Sequence, residues 1–178
     1  MDLRIKSFED YQEKYQYSVE DPESFWGEIA QNFYWRKPWK KTLEWNFTEP
    51  KVNWFKGGKL NITENCLDRH LPERADQVAF YWEGDSPEVQ KQVTYAELHQ
   101  QVCKLANGMK ALGVSKGDRV TIYMPMIPEA AVALLACARI GAVHSVVFAG
   151  FSPDALGSRI VDCDSKLVIT SDQALRGS

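Results

Sequence analysis

From Val120 onward the chain alternates apolar strand-like runs with helical ones, and this order restricts the fold more than any other feature of the sequence. Val120-Thr121-Ile122-Tyr123-Met124 is β-prone and is stopped by Pro125. Pro128-Glu129 opens a helix, Ala130 to Ile140, that is apolar nearly all round and ends at Gly141. A helix of that kind is buried on more than one side. Val143 to Phe148 forms a second strand, and Ser152-Pro153-Asp154 starts a helix that runs to about Asp162. Leu167-Val168-Ile169-Thr170 is the third strand. Strand, helix, strand, helix, strand is the pattern of a parallel α/β sheet with right-handed crossovers. The strands are apolar rather than alternating, which predicts that both sheet faces are covered.

Upstream of this unit, Ile62 to Leu71 reads as a short helix with Cys66, Leu67 and Leu71 on one side, ended by Pro72. Val78 to Trp82 is an apolar strand that can pair with Val89 to Val93 across the turn Glu83-Gly84-Asp85-Ser86-Pro87. Thr94 and Glu97 fit a capping box. Leu98, Val102, Leu105, Met109 and Leu112 then mark a helix that stops at Gly113.

The first 60 residues differ in composition and hold five of the six tryptophans: Trp26, Trp35, Trp39, Trp45 and Trp54. Asp21 and Pro22 start a helix on which Phe25, Trp26, Ile29 and Phe33 share one face. Between Arg36 and Lys59 there are seven basic residues and only two acids, Glu44 and Glu49. Basic residues interleaved with aromatics can form a nucleic-acid groove. Against that stand the net charge of −3 and the lack of any RNA-binding motif. The segment is read instead as an irregular arm whose tryptophans pack onto a larger body.

Several classes are excluded. With 44% hydrophobic and 12% aromatic residues the chain is no disordered tail. No run approaches the length of a membrane span, and the polar N-terminus offers no signal-peptide core. The four cysteines, Cys66, Cys103, Cys137 and Cys163, lie far apart without a C-x-x-C pair, so they are expected to be reduced thiols in a cytosolic protein. His70, His99 and His144 are equally scattered and form no metal spacing. The phosphate-cradling glycine motifs and the G-x-S-x-G nucleophile elbow are absent. Glu9-Asp10 and Glu20-Asp21 sit in polar segments and read as solvated helix starts.

Two segments have the form of binding elements. Val147-Phe148-Ala149-Gly150-Phe151-Ser152-Pro153 lies at the C-terminal end of a parallel strand, just before a helix N-terminus. Open α/β sheets bind ligands at that edge, and helix N-termini attract anions. Thr170-Ser171-Asp172-Gln173-Ala174-Leu175-Arg176 reaches the same edge after the next strand, and Arg176 there can pair with a phosphate. The plainer alternatives are an ordinary connecting loop and a solvated arginine.

Over nearly its whole length the chain closely resembles the N-terminal part of the AMP-forming acetyl-coenzyme A synthetases. The matching segments include Asp21-Pro22-Glu23-Ser24-Phe25-Trp26, Trp54-Phe55-Lys56-Gly57-Gly58-Lys59-Leu60-Asn61 and Asn65-Cys66-Leu67-Asp68-Arg69-His70-Leu71. They continue through Val93-Thr94-Tyr95-Ala96-Glu97-Leu98, Gly117-Asp118-Arg119-Val120-Thr121-Ile122-Tyr123-Met124-Pro125 and the run from Ile140 to Ser152. The Gly-Asp-Arg-Val segment is shared in looser form by the wider adenylate-forming superfamily. The tryptophan-rich arm and Val-Phe-Ala-Gly-Phe-Ser are more specific to the acetyl- and propionyl-CoA branch.

The resemblance implies an α/β fold: part of the parallel sheet layer of an adenylate-forming enzyme's large N-terminal domain, preceded by a mostly helical and irregular arm. It places the arm at residues 1–60 and the first part of the AMP-binding domain, incomplete at its C-terminus, at residues 61–178. It implies a cytoplasmic ligase that uses ATP, acetate and Mg²⁺ to form acetyl-adenylate and then transfers the acetyl group to coenzyme A. No nucleic acid or membrane partner is implied; the remainder of the same polypeptide is. The family's phosphate loop, acetate-pocket Trp, hinge Asp and adenylation Lys have no counterparts in this chain, so the chain alone is expected to be inactive. The coenzyme A nucleotide site corresponds to Phe148, Ala149 and Gly150, where many relatives have Gly in place of Ala149, and to Arg176, whose partner arginine would follow Ser178. Propionate in place of acetate, or a non-catalytic coenzyme A-binding module, are the alternatives.

Overall fold

The computed structural model describes residues 4–173. The chain divides into two compact units, Met1–Asn61 and Ile62–Ser178.

The first unit opens with α1 (Phe8–Glu20), capped by Ser7, whose hydroxyl accepts from the Asp10 N–H. No residue of α1 is buried; Phe8, Tyr11 and Tyr15 stack along its surface. Helix α2 (Pro22–Ala30) starts as the sequence predicts: the Asp21 carboxylate accepts from the Ser24 N–H and Pro22 occupies the first turn. Its buried face is Phe25, Gly27 and Ala30, while Trp26 and Phe33 stay exposed. The expected apolar face is therefore rotated toward the small residues, because α2 lies close against Thr42.

Downstream the arm is not irregular. Strands β1 (Lys41–Asn46) and β2 (Lys51–Lys56) form an antiparallel hairpin with Leu43 opposite Trp54 and Trp45 opposite Val52. Cross-strand pairs of this kind stabilise a two-stranded ribbon. The tryptophans find partners within the unit. Trp35 and Trp39 pack on each other and both on Phe55, with ring centroids 4.9–5.5 Å apart. The Trp35 indole N–H donates to the Ala30 carbonyl at the end of α2, beside the bond that carbonyl accepts from the Phe33 N–H. Gly58 is required here, since a Cβ at that position would stand 2.6 Å from the Trp35 ring.

The second unit begins with α3 (Ile62–Cys66), a 3₁₀ turn (Asp68–His70) and α4 (Leu71–Arg74). The single helix expected to end at Pro72 is thus broken at Leu67, and Pro72 lies within the first turn of α4, where its missing N–H costs nothing. Strands β3 (Val78–Glu83) and β4 (Gln90–Thr94) form an antiparallel hairpin, followed by α5 (Tyr95–Ala111). The capping box is complete: Thr94 Oγ1 accepts from the Glu97 N–H, and the Glu97 carboxylate accepts from the Thr94 N–H.

Then follow β5 (Arg119–Tyr123), α6 (Pro128–Ile140), β6 (Val143–Val146), α7 (Pro153–Asp162) and β7 (Ser165–Thr170). All three strands are parallel, in the order β6-β5-β7. Gly141 ends α6 in the left-handed conformation at φ 74°, a position that favours glycine. The core joins Val120 and Ile122 of β5 to Leu98, Val102, Ala106 and Met109 of α5 and to Val132, Ala133, Ala136 and Cys137 of α6. Only β5 is closed on both faces, Thr121 being fully buried on the side opposite Val120 and Ile122. Val143 and Val146 on β6 and Val168 on β7 remain exposed, so the apolar runs of these two edge strands do not imply full coverage.

Candidate functional site

A doubly wound sheet offers its C-terminal edge to ligands, and the order β6-β5-β7 reverses direction beside β5. The loop between β6 and α7 lies at that edge, held at both ends. The Val147 N–H donates to the Ile122 carbonyl at 2.9 Å, and the Phe151 N–H closes a turn on the Phe148 carbonyl at 3.0 Å. Ser152 caps α7 by accepting from the Ala155 N–H, and Pro153 follows in the first turn. The uncompensated N–H groups of that first turn carry the positive end of the helix dipole.

Phe148 stands 62% exposed at the loop's outer side and meets Phe151 edge to face at 5.8 Å. Arg159 lies over the Phe151 ring, 4.5 Å from its centroid, and donates to the Ala155 carbonyl. The Tyr123 hydroxyl, at the end of β5, reaches the Ala149 carbonyl at 3.0 Å and the Phe151 carbonyl at 2.9 Å. The structure thus places Phe148, Ala149 and Gly150 together beside a helix N-terminus. Arg176 lies outside the described residues. Sequence reasoning missed Tyr123 and Arg159. Tyr123 reads as one more β-prone residue of a strand, and only the register that sets it beside the loop distinguishes it.

The Gly117-Asp118-Arg119-Val120 motif sits at the opposite edge of the sheet. The Asp118 carboxylate accepts from Lys166 Nζ at 2.9 Å and from the Ser115 N–H and hydroxyl at 2.7 and 2.8 Å. Lys166 first, then Ser115, hold its pKa down to about 2. The Arg119 guanidinium donates to the carbonyls of Cys163 and Asp164 and pairs with the Asp164 carboxylate. These contacts join the entry to β7 to the start of β5 and are structural.

A second polar cluster ties the short helices to α5 and α6. Arg139 forms a bidentate pair with Asp68 at 2.7 and 3.1 Å, donates to Thr63 Oγ1 at 3.0 Å and stands 2.9 Å from His99 Nε2. All four cysteines are free thiols; burial pushes the Cys137 thiol up to about 11, far from the range of a reactive thiolate. Among the described residues no group of three His, Cys, Asp or Glu side chains converges as for a metal ion, and no helix is long and apolar enough to cross a membrane.

A family model described as AMP-binding enzyme matches residues 67–177. The chain belongs to that family. A second model, acetyl-coenzyme A synthetase N-terminus, matches residues 11–66. Among curated relatives, acetyl-coenzyme A synthetase 2 of Pseudomonas putida is 59% identical over 169 residues, covering 95% of this chain and 26% of that protein. Acetyl-coenzyme A synthetase of Rhizobium rhizogenes is 61% identical over 168 residues, covering 94% and 26%. That of Syntrophobacter fumaroxidans is 59% identical over 170 residues, covering 95% and 26%. The chain therefore spans about a quarter of the length of the relatives it matches.

Proposed function

We propose that this chain is the N-terminal part of an AMP-forming acetate–CoA ligase. The whole protein activates acetate with ATP and Mg²⁺ to acetyl-adenylate, releases pyrophosphate, then passes the acetyl group to coenzyme A and releases AMP. The observation that carries this reading is the 57–61% identity to acetyl-coenzyme A synthetases along almost the whole chain, arm included. Residues 1–60 are the arm of this branch and residues 61–178 the first α/β part of the adenylation domain. A cytoplasmic location accords with free, scattered thiols.

Within this chain the share of the work is binding. Phe148, Ala149 and Gly150 take the nucleotide end of coenzyme A, with Arg176 as a phosphate contact. The exposed Phe148 ring offers a face for the adenine, and the α7 N-terminus beside it offers positive potential for phosphate. Coenzyme A supplies the thiol that accepts the acetyl group; the groups that act on ATP and acetate belong to other parts of the protein.

The test is the full-length protein assayed with acetate, propionate, ATP, Mg²⁺ and coenzyme A. Acetate-dependent exchange of pyrophosphate into ATP without coenzyme A, and AMP formation with it, are expected. Phe148→Ala raises the coenzyme A KM by roughly 5- to 20-fold, the loss of one stacking contact. No acetate-dependent exchange sinks the ligase reading, and a stronger response to propionate changes the acid.

A further inference from the structure

Tyr123 closes the central strand at the same edge as the coenzyme A loop, and its hydroxyl lies within 3.0 Å of two loop carbonyls, those of Ala149 and Phe151. A phenol carries one proton, so the two carbonyls share it. Other backbone contacts hold the loop before, after and within itself. Val147 is tied to β5 before the loop, Ser152 caps the helix after it, and the Phe148 carbonyl and Phe151 N–H close the turn on itself. The Tyr123 hydroxyl joins the middle of the loop to the most deeply buried strand of the sheet, whose Val120, Thr121 and Ile122 are at most 2% exposed.

We propose that Tyr123 is the positioning residue of the coenzyme A loop. It draws residues 149–151 over the end of β5, and it occupies two carbonyl oxygens that would otherwise stand with unneutralised negative ends beside a phosphate-bearing ligand. Because the anchor lies on a strand buried on both faces, the loop is set before ligand arrives, and ordering it costs little on binding. The proposal rests on the reading of Phe148, Ala149 and Gly150 as the coenzyme A loop.

Tyr123→Phe keeps the ring and deletes the hydroxyl. In the full-length protein the coenzyme A KM is expected to rise about 3- to 10-fold, the effect of one lost shared hydrogen bond. Acetate-dependent pyrophosphate exchange, measured without coenzyme A, is expected to stay within about 2-fold of the parent. Amide hydrogen exchange over residues 148–152 should quicken in the variant. Tyr81→Phe, at a residue 73% exposed on β3, controls for loss of a tyrosine hydroxyl as such. An unchanged coenzyme A KM with unchanged loop exchange overturns the positioning role. An equal loss in both half-reactions also overturns it, as a general folding defect. If the parent protein shows exchange but no coenzyme A-dependent turnover, the loop reading itself fails, and the role of Tyr123 falls with it.

Discussion

Single residues at the two edges of one strand carry different duties. Tyr123, at the C-terminal end of β5, faces the candidate loop; Asp118, just before its N-terminal end, holds the sheet together through Lys166 and Ser115. The Asp118 pKa lies near 2 in the fold against an ordinary 3.8. A carboxylate depressed in this way stabilises the fold fully above its unfolded value, and the contribution fades as pH falls from about 4 toward 2. Asp118→Asn should therefore lower the unfolding midpoint at neutral pH and flatten its fall between pH 4 and 2. Equal slopes for parent and variant would show that other carboxylates govern acid unfolding. The motif around Asp118 was legible in the sequence, but its ion-pair partner was not. A Gly-Asp-Arg-Val string reads as a turn into a strand and says nothing of Lys166, which lies 48 residues later.

Elements with local signals came through best. The capping box, the Asp21-Pro22 start, the Gly141 stop and the Ser152-Pro153 start all form where short-range chemistry places them. Thr94→Ala removes the acceptor for the Glu97 N–H and should destabilise α5 by about 1 kcal/mol. Urea unfolding would measure it, and a loss below the experimental error would mean that Glu97 alone sustains the cap. The elements that escaped have weaker signals. Helix α1 buries nothing, so its Phe8, Tyr11 and Tyr15 spacing is visible only once the helix is known. The β1–β2 hairpin alternates Leu43 and Trp45 with Thr42 and Glu44, but its basic residues suggested a solvated arm. Cross-strand pairing reconciles the two, since Lys56 lies against Glu44 at 2.8 Å.

At the scale of the whole molecule, non-local polar contacts fix what hydrophobic periodicity leaves open. Arg139 on α6 gathers Asp68, Thr63 and His99 from three other elements. Arg139→Gln breaks a bidentate, partly buried pair, and a loss of about 2 kcal/mol is expected, between the values for exposed and buried pairs. Denaturation of parent, Arg139→Gln, Asp68→Asn and the double variant would isolate the coupling; additive losses would show that the pair contributes nothing of its own. The sequence by itself determined the parallel α/β layer, the capped starts of α2, α5 and α7, the stop of α6 and the segment that becomes the candidate loop, because these follow from short-range periodicity, caps and turns. Only the tertiary structure decided that β5 lies between β6 and β7, that Asp118 pairs with Lys166, and that Tyr123 and Arg139 act on distant segments. Strand order and ion-pair partners depend on which residues meet across long loops, and a one-dimensional pattern of polarity does not encode that choice.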